Sequence, residues 1–400
     1  MITPESNELQ QLVQELHQQA VPWLPAGCGS RLQWGPDVQP DPGKGTLQVL
    51  STAALNQILE FSPGDFTVSV QAGTPLETLQ AALAEHGQWL ALDWPWGTPT
   101  QPGGSVGGLV ARGLAGGYRQ RYLGVRDQLL GIGLLRTDGT AAKAGGKVVK
   151  NVAGYDLMRL LCGSWGSLAL ITEVTLRTMP CPPERRGLWL QGSQPQLGTL
   201  TRWLLASSLT PERIDWQRPP HSAPDDAGVV VSLASISSQT LTEQLRCIAD
   251  EAGDIGVLAT PLDAEALEHR LAAGRGGDQA PEADWLLRLA VPASRVEDLL
   301  SDPELQPLAL TLAAGSGLGM AWAAAATLPA YRVESLRRRC HALGGQLTVL
   351  LQPPDCCLPA WLDAPSRPLI EAIKRQYDPK QQLARGRLPG VEKPLRPTDL

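Results

Sequence analysis

Three runs between residues 97 and 178 carry residue types suited to an anionic, phosphorylated ligand. The first is Pro102-Gly103-Gly104-Ser105-Val106-Gly107-Gly108, which leads at once into an apolar, helix-like stretch. The second is Lys150-Asn151-Val152-Ala153-Gly154-Tyr155-Asp156-Leu157, and the third is Ile171-Thr172-Glu173. Glycine has no Cβ, so backbone N–H groups can come close to an anion, and a helix start favours negative charge. An earlier turn, Pro25-Ala26-Gly27-Cys28-Gly29-Ser30, follows the short apolar run Val21-Pro22-Trp23-Leu24 and offers the same approach. Each glycine taken alone reads equally well as a turn or a close-packed spot without ligand. Together and in this order they favour a cofactor.

The charge distribution points the same way. The net charge is -6, but residues 1–96 hold 2 basic and 10 acidic side chains, whereas residues 97–187 hold 12 and 5. A cationic centre in an acidic protein suits a pyrophosphate, a carboxylate substrate or an acidic partner. Nucleic acid fits less well, because the basic residues are interleaved with glycine turns and only Tyr118, Tyr122, Tyr155 and Trp165 could stack on bases. Lys147 and Lys150 are candidates to neutralise phosphate or meet a carboxylate, with solvated lysines as the alternative. The chain is 43% hydrophobic and 18% charged, the composition of a globular protein. No apolar run is long enough to predict a membrane-spanning helix. Polar, acidic Met1–Gln19 argues against a secretory signal. Seven scattered cysteines without Cys-x-x-Cys argue against a disulfide framework or an iron–sulfur cluster, and for a reducing cytoplasm.

The elements expected to position these runs follow from periodicity and caps. Residues 6–19 read as a helix capped by Ser6, with Leu9, Leu12, Val13 and Leu16 as its apolar stripe. Residues 46–51, 66–70, 129–136 and 168–178 read as strands, and 53–60 as a short helix. Thr74, Pro75 and Glu77 predict a capped helix ending at Gly87. Met179-Pro180-Cys181-Pro182-Pro183 marks the best domain boundary. Beyond it, strands at 188–190, 214–216, 229–233, 286–291 and 347–351 alternate with helices at 239–252, 263–273 and 330–343. This pattern predicts a sheet covered by helices on one side. Segment 274–284 reads as a loop, residues 389–400 as a fraying end, and Arg337-Arg338-Arg339 as a solvated helix face or docking patch.

Residues 20–180 resemble the FAD-binding domain of the vanillyl-alcohol oxidase, or p-cresol methylhydroxylase (PCMH), type. The resemblance is carried by Pro25–Ser30, Val68-Ser69-Val70-Gln71-Ala72-Gly73-Thr74, Pro102–Gly108 with Arg126-Asp127, and Gly163-Ser164-Trp165-Gly166-Ser167 through Glu173. Ile373-Lys374-Arg375-Gln376-Tyr377-Asp378-Pro379 looks like the family's closing segment, after which Ala384-Arg385-Gly386-Arg387 stands where the family has Asn-Pro-Gly-Arg. The resemblance implies an α+β fold with a two-part PCMH-type FAD-binding domain (1–182), a smaller α+β cap domain (183–365) and a C-terminal segment returning to the FAD domain (366–400). It also implies a cofactor-binding set. Gly27, Cys28, Gly29 and Ser30 would cradle the pyrophosphate, and Gly103, Gly104, Ser105, Val106, Gly107 and Gly108 would lie along it. Arg126, Asp127, Asn151, Tyr155, Ile171 and Glu173 complete the set. Some members hold FAD covalently through a histidine in the first loop; Cys28 stands here, so noncovalent FAD is expected.

Arg112-Gly113-Leu114-Ala115-Gly116 and Gly146–Leu157 are similar to the FAD-binding subunits of glycolate oxidase, a multi-subunit 2-hydroxy-acid dehydrogenase. Oxidising a 2-hydroxy acid needs a hydride acceptor, a cation for the carboxylate and a base for the hydroxyl. The five histidines, His17, His86, His221, His269 and His341, all lie in contexts that read as surface, and no His-x-His metal motif occurs. No catalytic residue or metal site is assigned. The reading is therefore a peripheral or cytoplasmic flavin subunit working with a catalytic flavoprotein subunit and an iron–sulfur subunit on a small 2-hydroxy acid. A stand-alone FAD-dependent dehydrogenase and a structural subunit with a degenerate flavin site are the alternatives.

Overall fold

The computed structural model describes residues 1–38, 47–93, 97–98, 101–147, 155–219, 227–273 and 284–393. The chain forms two compact units. One comprises Met1–Leu114, Gly124–Cys181 and Pro359–Leu400; the other comprises Ala115–Leu123 and Pro182–Leu358. These limits stand beside the 182/183 and 365/366 boundaries expected from the sequence, with the Ala115–Leu123 excursion in addition.

The strands of the first unit are β1 (Trp23–Ala26), β2 (Gln48–Ser51), β3 (Ile58–Ser62), β4 (Thr67–Gln71), β5 (Gln88–Trp89), β6 (Gly97–Thr98), β7 (Gln101–Pro102), β8 (Leu129–Leu135), β9 (Ala141–Gly145), β10 (Leu170–Arg177) and β11 (Met179–Pro180). Strands β1 and β2 pair in parallel. A five-stranded antiparallel sheet runs in the order β3-β4-β10-β8-β9. The helix Leu9–Gln18 lays Leu9, Val13 and Leu16 against Trp23, Leu50, Leu135, Leu170 and Leu383. Glu8, rather than Ser6, holds its cap position. The short helix expected at 53–60 is absent. Ile58–Ser62 is strand β3, because pairing with β4 outweighs a local preference too short to nucleate a helix. In the helix Leu76–Ala84 the cap position falls on Pro75, so Thr74 does not cap it and its hydroxyl turns to the Gln57 carbonyl.

The C-terminal segment is tied into this unit by one ammonium group. Lys374, on the helix Arg367–Tyr377, is 3% exposed. It donates to the Ser167 carbonyl at 2.7 Å, the Leu383 carbonyl at 2.8 Å and the Asp378 carboxylate at 2.6 Å. All three of its donors are thereby used. Asp378 in turn accepts from the Gln382 and Leu383 amides. Burial lowers the Lys374 pKa, and Asp378 opposes that shift.

The second unit is one eight-stranded antiparallel sheet. Its strands are β12 (Glu184–Gln191), β13 (Pro211–Arg218), β14 (Gly228–Ser235), β15 (Leu258–Leu262), β16 (Trp285–Ala290), β17 (Ala309–Ala313), β18 (Leu318–Ala323) and β19 (Gln346–Leu351), in the order β15-β12-β14-β13-β17-β18-β16-β19. Helices Gln194–Ala206, Ser238–Ile255 and Ala330–Ala342 bury Leu200, Leu204, Ile248 and Leu336 with Leu188, Leu190, Val229 and Val231 of the sheet. Alternation along β12 and β14 sends Trp189 and Val230 to the opposite face, where they pack with Leu267 and Leu271 of the helix Ala264–Ala273. The expectation of helices on one side is therefore corrected: the helix Ala264–Ala273 lies on the other face, over β12 and β14. Arg337 is buried, which breaks up the expected solvated run 337–339. Segment 274–283 and residues 394–400 lie outside the described residues.

Ala115–Leu123 belongs to this unit through a buried carboxylate. Glu212 on β13 is fully buried and receives both Arg185 nitrogens, at 2.6 and 3.1 Å, the Tyr122 hydroxyl at 2.5 Å and the Ser232 hydroxyl at 3.2 Å. Burial, followed by the nearby Glu212 charge, raises the Tyr122 pKa.

Removing one partner of a buried ion pair leaves the other charge uncompensated. Lys374→Ala should destabilise the first unit by ~3–5 kcal/mol. Urea unfolding followed by circular dichroism reads this loss, and Lys374→Met with Asp378→Asn should recover part of it.

Candidate functional site

The first unit contains an open cleft with about 740 Å³ of empty space, open solvent included. Its walls come from the end of β1 and the loop that follows it to Leu32, Thr52 and Ala72, Gly104-Ser105 with the glycine helix Val106–Arg112, the turn Trp165-Gly166 with the start of β10, and Arg387 of the C-terminal segment.

Backbone donors sort the two glycine loops. At the glycine helix they are engaged inside the protein. Val106 N–H donates to the Thr74 carbonyl at 3.0 Å, Gly107 N–H to the Ala72 carbonyl at 2.7 Å, and Gly108 N–H to the Ser105 hydroxyl at 3.2 Å. The helix is only seven residues long. The amides of Val106, Gly107 and Gly108 are thus taken, whereas those of Gly104 and Ser105 donate to no other described residue, and Gly107 serves close packing. A Cβ on Gly107 would lie 2.8 Å from the Ala72 Cβ, and one on Gly27 would lie 1.9 Å from the Ser105 Oγ.

The first loop is the reverse case. Its carbonyls are held, Ala26 by the Thr52 amide at 2.8 Å and Gly27 by the Ser51 hydroxyl at 2.9 Å. Its amides are not: those of Gly27, Cys28, Gly29 and Ser30 donate to no other described residue. Such groups require an acceptor from solvent or a ligand. Burial first, and then Glu77, push the Cys28 thiol pKa up, so this sulfur stays neutral.

Three arginines stand around this loop; the sequence placed Arg112 and Arg387 in motifs but assigned none of the three to the cofactor. Arg31 donates to the Ser30 hydroxyl at 3.0 Å and to the Gly103 carbonyl. Arg112 donates to the Arg31 carbonyl at 2.9 Å and the Trp34 carbonyl at 3.3 Å, with its guanidinium 3.9 Å from the Trp165 ring centre. Arg387 donates to the carbonyls of Pro36, at 2.8 Å, and Leu32. Burial, then Arg387, then Arg31 lower the Arg112 pKa to about 9. A guanidinium is not deprotonated in proteins, so this direction marks a buried cation with two like charges nearby. Trp165 holds a left-handed backbone (φ 57), which costs about 1–3 kcal/mol in a non-glycine residue and recurs at ligand clamps. The cationic stretch 97–187 contains only Arg112 of the three, and nothing in the spacing of 31, 112 and 387 ties them together.

Of the residues selected from the sequence, Gly27, Cys28, Gly29, Ser30, Gly104, Ser105, Gly107, Gly108 and Ile171 line the cleft. Gly103 contributes its carbonyl to Arg31, and Val106 is buried behind the lining. Arg126, Asp127, Tyr155 and Glu173 are not among the lining residues. Arg126 is exposed, and Asp127 accepts from the Gly124 amide to cap its own short helix. Tyr155 is 86% exposed, and Asn151 and Lys150 fall outside the described residues. A β-bulge between Ile171 and Glu173 breaks the alternation of β10, and Glu173 pairs with Lys143 at 2.8 Å. Lys147 is exposed and pairs with Glu60. Among the described residues no histidine lines the cleft, and no three His, Cys, Asp or Glu side chains gather as metal ligands. His221 is outside the described residues.

Residues 2–145 match the family model of an FAD binding domain. This stretch is an FAD-binding domain. Part of the chain is 36% identical over 162 residues to glycolate oxidase subunit GlcE of Escherichia coli, covering 40% of this chain and 45% of that protein. It is 36% identical over 177 residues to D-2-hydroxyglutarate dehydrogenase of Xanthomonas citri, covering 44% and 35%. It is 32% identical over 190 residues to glycolate oxidase subunit GlcD of Bacillus subtilis, covering 47% and 38%. The chain thus spans less than half the length of these relatives. Alkyldihydroxyacetonephosphate synthase has the same fold, with a TM-score of 0.69 at 14% identity over 96% of this chain and 76% of its own. The mixed α+β fold of PCMH type is that of this FAD-binding domain and its companion unit.

The cleft of the FAD-binding domain fits the cofactor. Four adjacent open amides and the flanking guanidiniums suit a diphosphate, and Leu24, Ala26, Ala72, Ala169 and Ile171 offer apolar walls to a ring. The close approach of Gly27 to Ser105 sets the shape of the loop. Gly27→Ala should destabilise the unliganded domain by ~1–3 kcal/mol through overpacking. Adding Ser105→Gly should recover most of that loss in thermal melts, whereas no recovery would show that Gly27 matters for another reason.

Proposed function

We propose that this protein is an FAD-dependent oxidoreductase subunit that takes part in the oxidation of glycolate, a 2-hydroxy acid, to glyoxylate. The carrying observation is the first-loop cradle with its arginines inside an FAD-binding domain. FAD, when bound, supplies the acceptor for a hydride. The chain's own residues bind and orient it: the amides of Gly27–Ser30 hold the diphosphate, Gly104–Gly108 pack the cleft wall, and Ile171 lies beside the ring system. With the thiol of Cys28 neutral and no histidine in the loop, FAD is held noncovalently. Of the sequence-selected residues, those lining the cleft remain the cofactor set. The proposed domains are the FAD domain (1–182), the cap (183–365) and the returning segment (366–400).

Similarity to glycolate oxidase subunits GlcE and GlcD supports a place in a multi-subunit complex. No histidine lines the cleft among the described residues, and no His-x-His stands in the sequence, which supports chemistry completed by a partner. We infer a catalytic flavoprotein subunit and an iron–sulfur subunit as partners. No helix among the described residues is long and apolar enough to cross a membrane, and we place the protein in the cytoplasm, peripheral to the membrane through those partners. The open amides weigh against a degenerate site that only supports the assembly.

The purified chain should show flavin absorbance, and the flavin should stay oxidised with glycolate or D-lactate and an artificial acceptor until the partner subunits are added. Turnover by the isolated chain would overturn the subunit role in favour of a stand-alone dehydrogenase. A colourless protein that takes up no added FAD would overturn the flavin reading.

A further inference from the structure

We propose that Arg31, Arg112 and Arg387 form a cationic clasp for the FAD diphosphate, and that this clasp, rather than the glycine helix, supplies the charge that holds the cofactor. The inference rests on the FAD reading above and names the residues responsible for its affinity.

The first argument is placement. Arg31 directly follows the open amides of Gly27–Ser30. Arg112 and Arg387 both donate to carbonyls of the stretch that continues this loop: Arg31 and Trp34 for the former, Leu32 and Pro36 for the latter. Three residues far apart in sequence thus converge on one segment, and all three line the same cleft.

The second argument is the donor count. A guanidinium has five N–H donors. Among the described residues Arg112 and Arg387 each engage two of them, all on neutral carbonyls, and neither forms an ion pair with a carboxylate. Asp37 acts on Arg387 only at longer range. Arg31 and Arg387 are buried. Burial first, and then the charges of Arg387 and Arg31, lower the Arg112 pKa, and an anion bound at Arg112 and Arg387 would offset both effects.

The third argument is rigidity. Arg112 is stacked on Trp165, which meets Trp361 edge-on at 5.3 Å. Trp165 in turn donates its backbone N–H to the Ala111 carbonyl at 2.8 Å. The planar group is therefore held in one orientation before the ligand arrives, which suits bidentate contact with phosphate oxygens.

The alternative for such a cluster is a substrate carboxylate. The four open amides beside the guanidiniums extend the anion site along the chain, further than one carboxylate would span. A diphosphate ester answers both features.

The test is calorimetric titration of the full-length chain, stripped of flavin, with FAD, ADP and riboflavin. Arg112→Gln and Arg387→Gln should each weaken FAD and ADP by about 10- to 100-fold and leave riboflavin unchanged. Wild-type affinity for FAD should fall between about 50 and 300 mM salt, with a shallower slope in both variants. Melting without ligand controls for folding, and Arg112→Lys, which keeps the charge, should lose less than Arg112→Gln. Unchanged FAD affinity in the glutamine variants would overturn the clasp while leaving the FAD reading intact. Equal weakening of FAD and riboflavin would overturn it as well. A wild-type chain that binds ADP through these arginines but rejects FAD would uphold the clasp and overturn the flavin reading. Binding of neither would overturn both.

Discussion

Backbone donors buried away from water must find acceptors, and the candidate site follows from how two glycine loops meet that demand. In the helix Val106–Arg112 the first amides are taken by Thr74, Ala72 and Ser105. In the loop after β1 the carbonyls are taken by Ser51 and Thr52, while four amides in a row are not. The glycine helix is thus the packed wall against which the first loop is shaped. Gly107 lets the helix close on Ala72, and the absence of a Cβ at Gly27 lets Ser105 come near. Cradle and wall depend on each other, since Ser105 both caps the helix and meets the loop.

The C-terminal segment has a comparable double role. Lys374 binds carbonyls of Ser167 and Leu383 together with Asp378. This joins the turn that carries Trp165 to the run from Asp378 that leads to Arg387. A buried ion pair is weak evidence for net stability, but it selects one arrangement, because any other would leave a charge without partners. The departure from Asn-Pro-Gly-Arg at residues 384–387 keeps the final arginine, and Arg387 is the part that reaches the cleft. In the second unit, Glu212 acts similarly by drawing Tyr122 and Arg185 onto one sheet position. It accounts for a short piece of chain, 115–123, that belongs with the sheet although its sequence neighbours do not.

Much of the local structure was legible in the sequence. Strands β4, β8, β10 and β14 alternate or run apolar, and the helices after Ser237 and Pro329 show periodic apolar residues and clear starts. Elements that went unseen have weak local signals. Strand β15 contains Pro261 and is largely exposed at an edge, and the pair β17–β18 is rich in alanine and glycine. The helix Gln194–Ala206 carries an interior glycine, although the Ser193–Gln196 capping box marked its start. The residues 53–60 were misread because strand pairing is decided across the sheet and not within eight residues.

By itself, the sequence determined that an anionic cofactor would be met by glycine turns in a cationic region, and the resemblance to PCMH-type domains named the cofactor. Those properties are local: glycine spacing and charge content are written in the order of residues. Only the tertiary structure decided which amides stay open, since acceptors at Ala72 and Thr74 reach the start of the glycine helix from elsewhere in the chain. It also decided that Arg31, Arg112 and Arg387 act at one place. Their meeting depends on the helix packing, on the stacking of Arg112 over Trp165 and on the Lys374 latch, and none of these contacts has a sequence period.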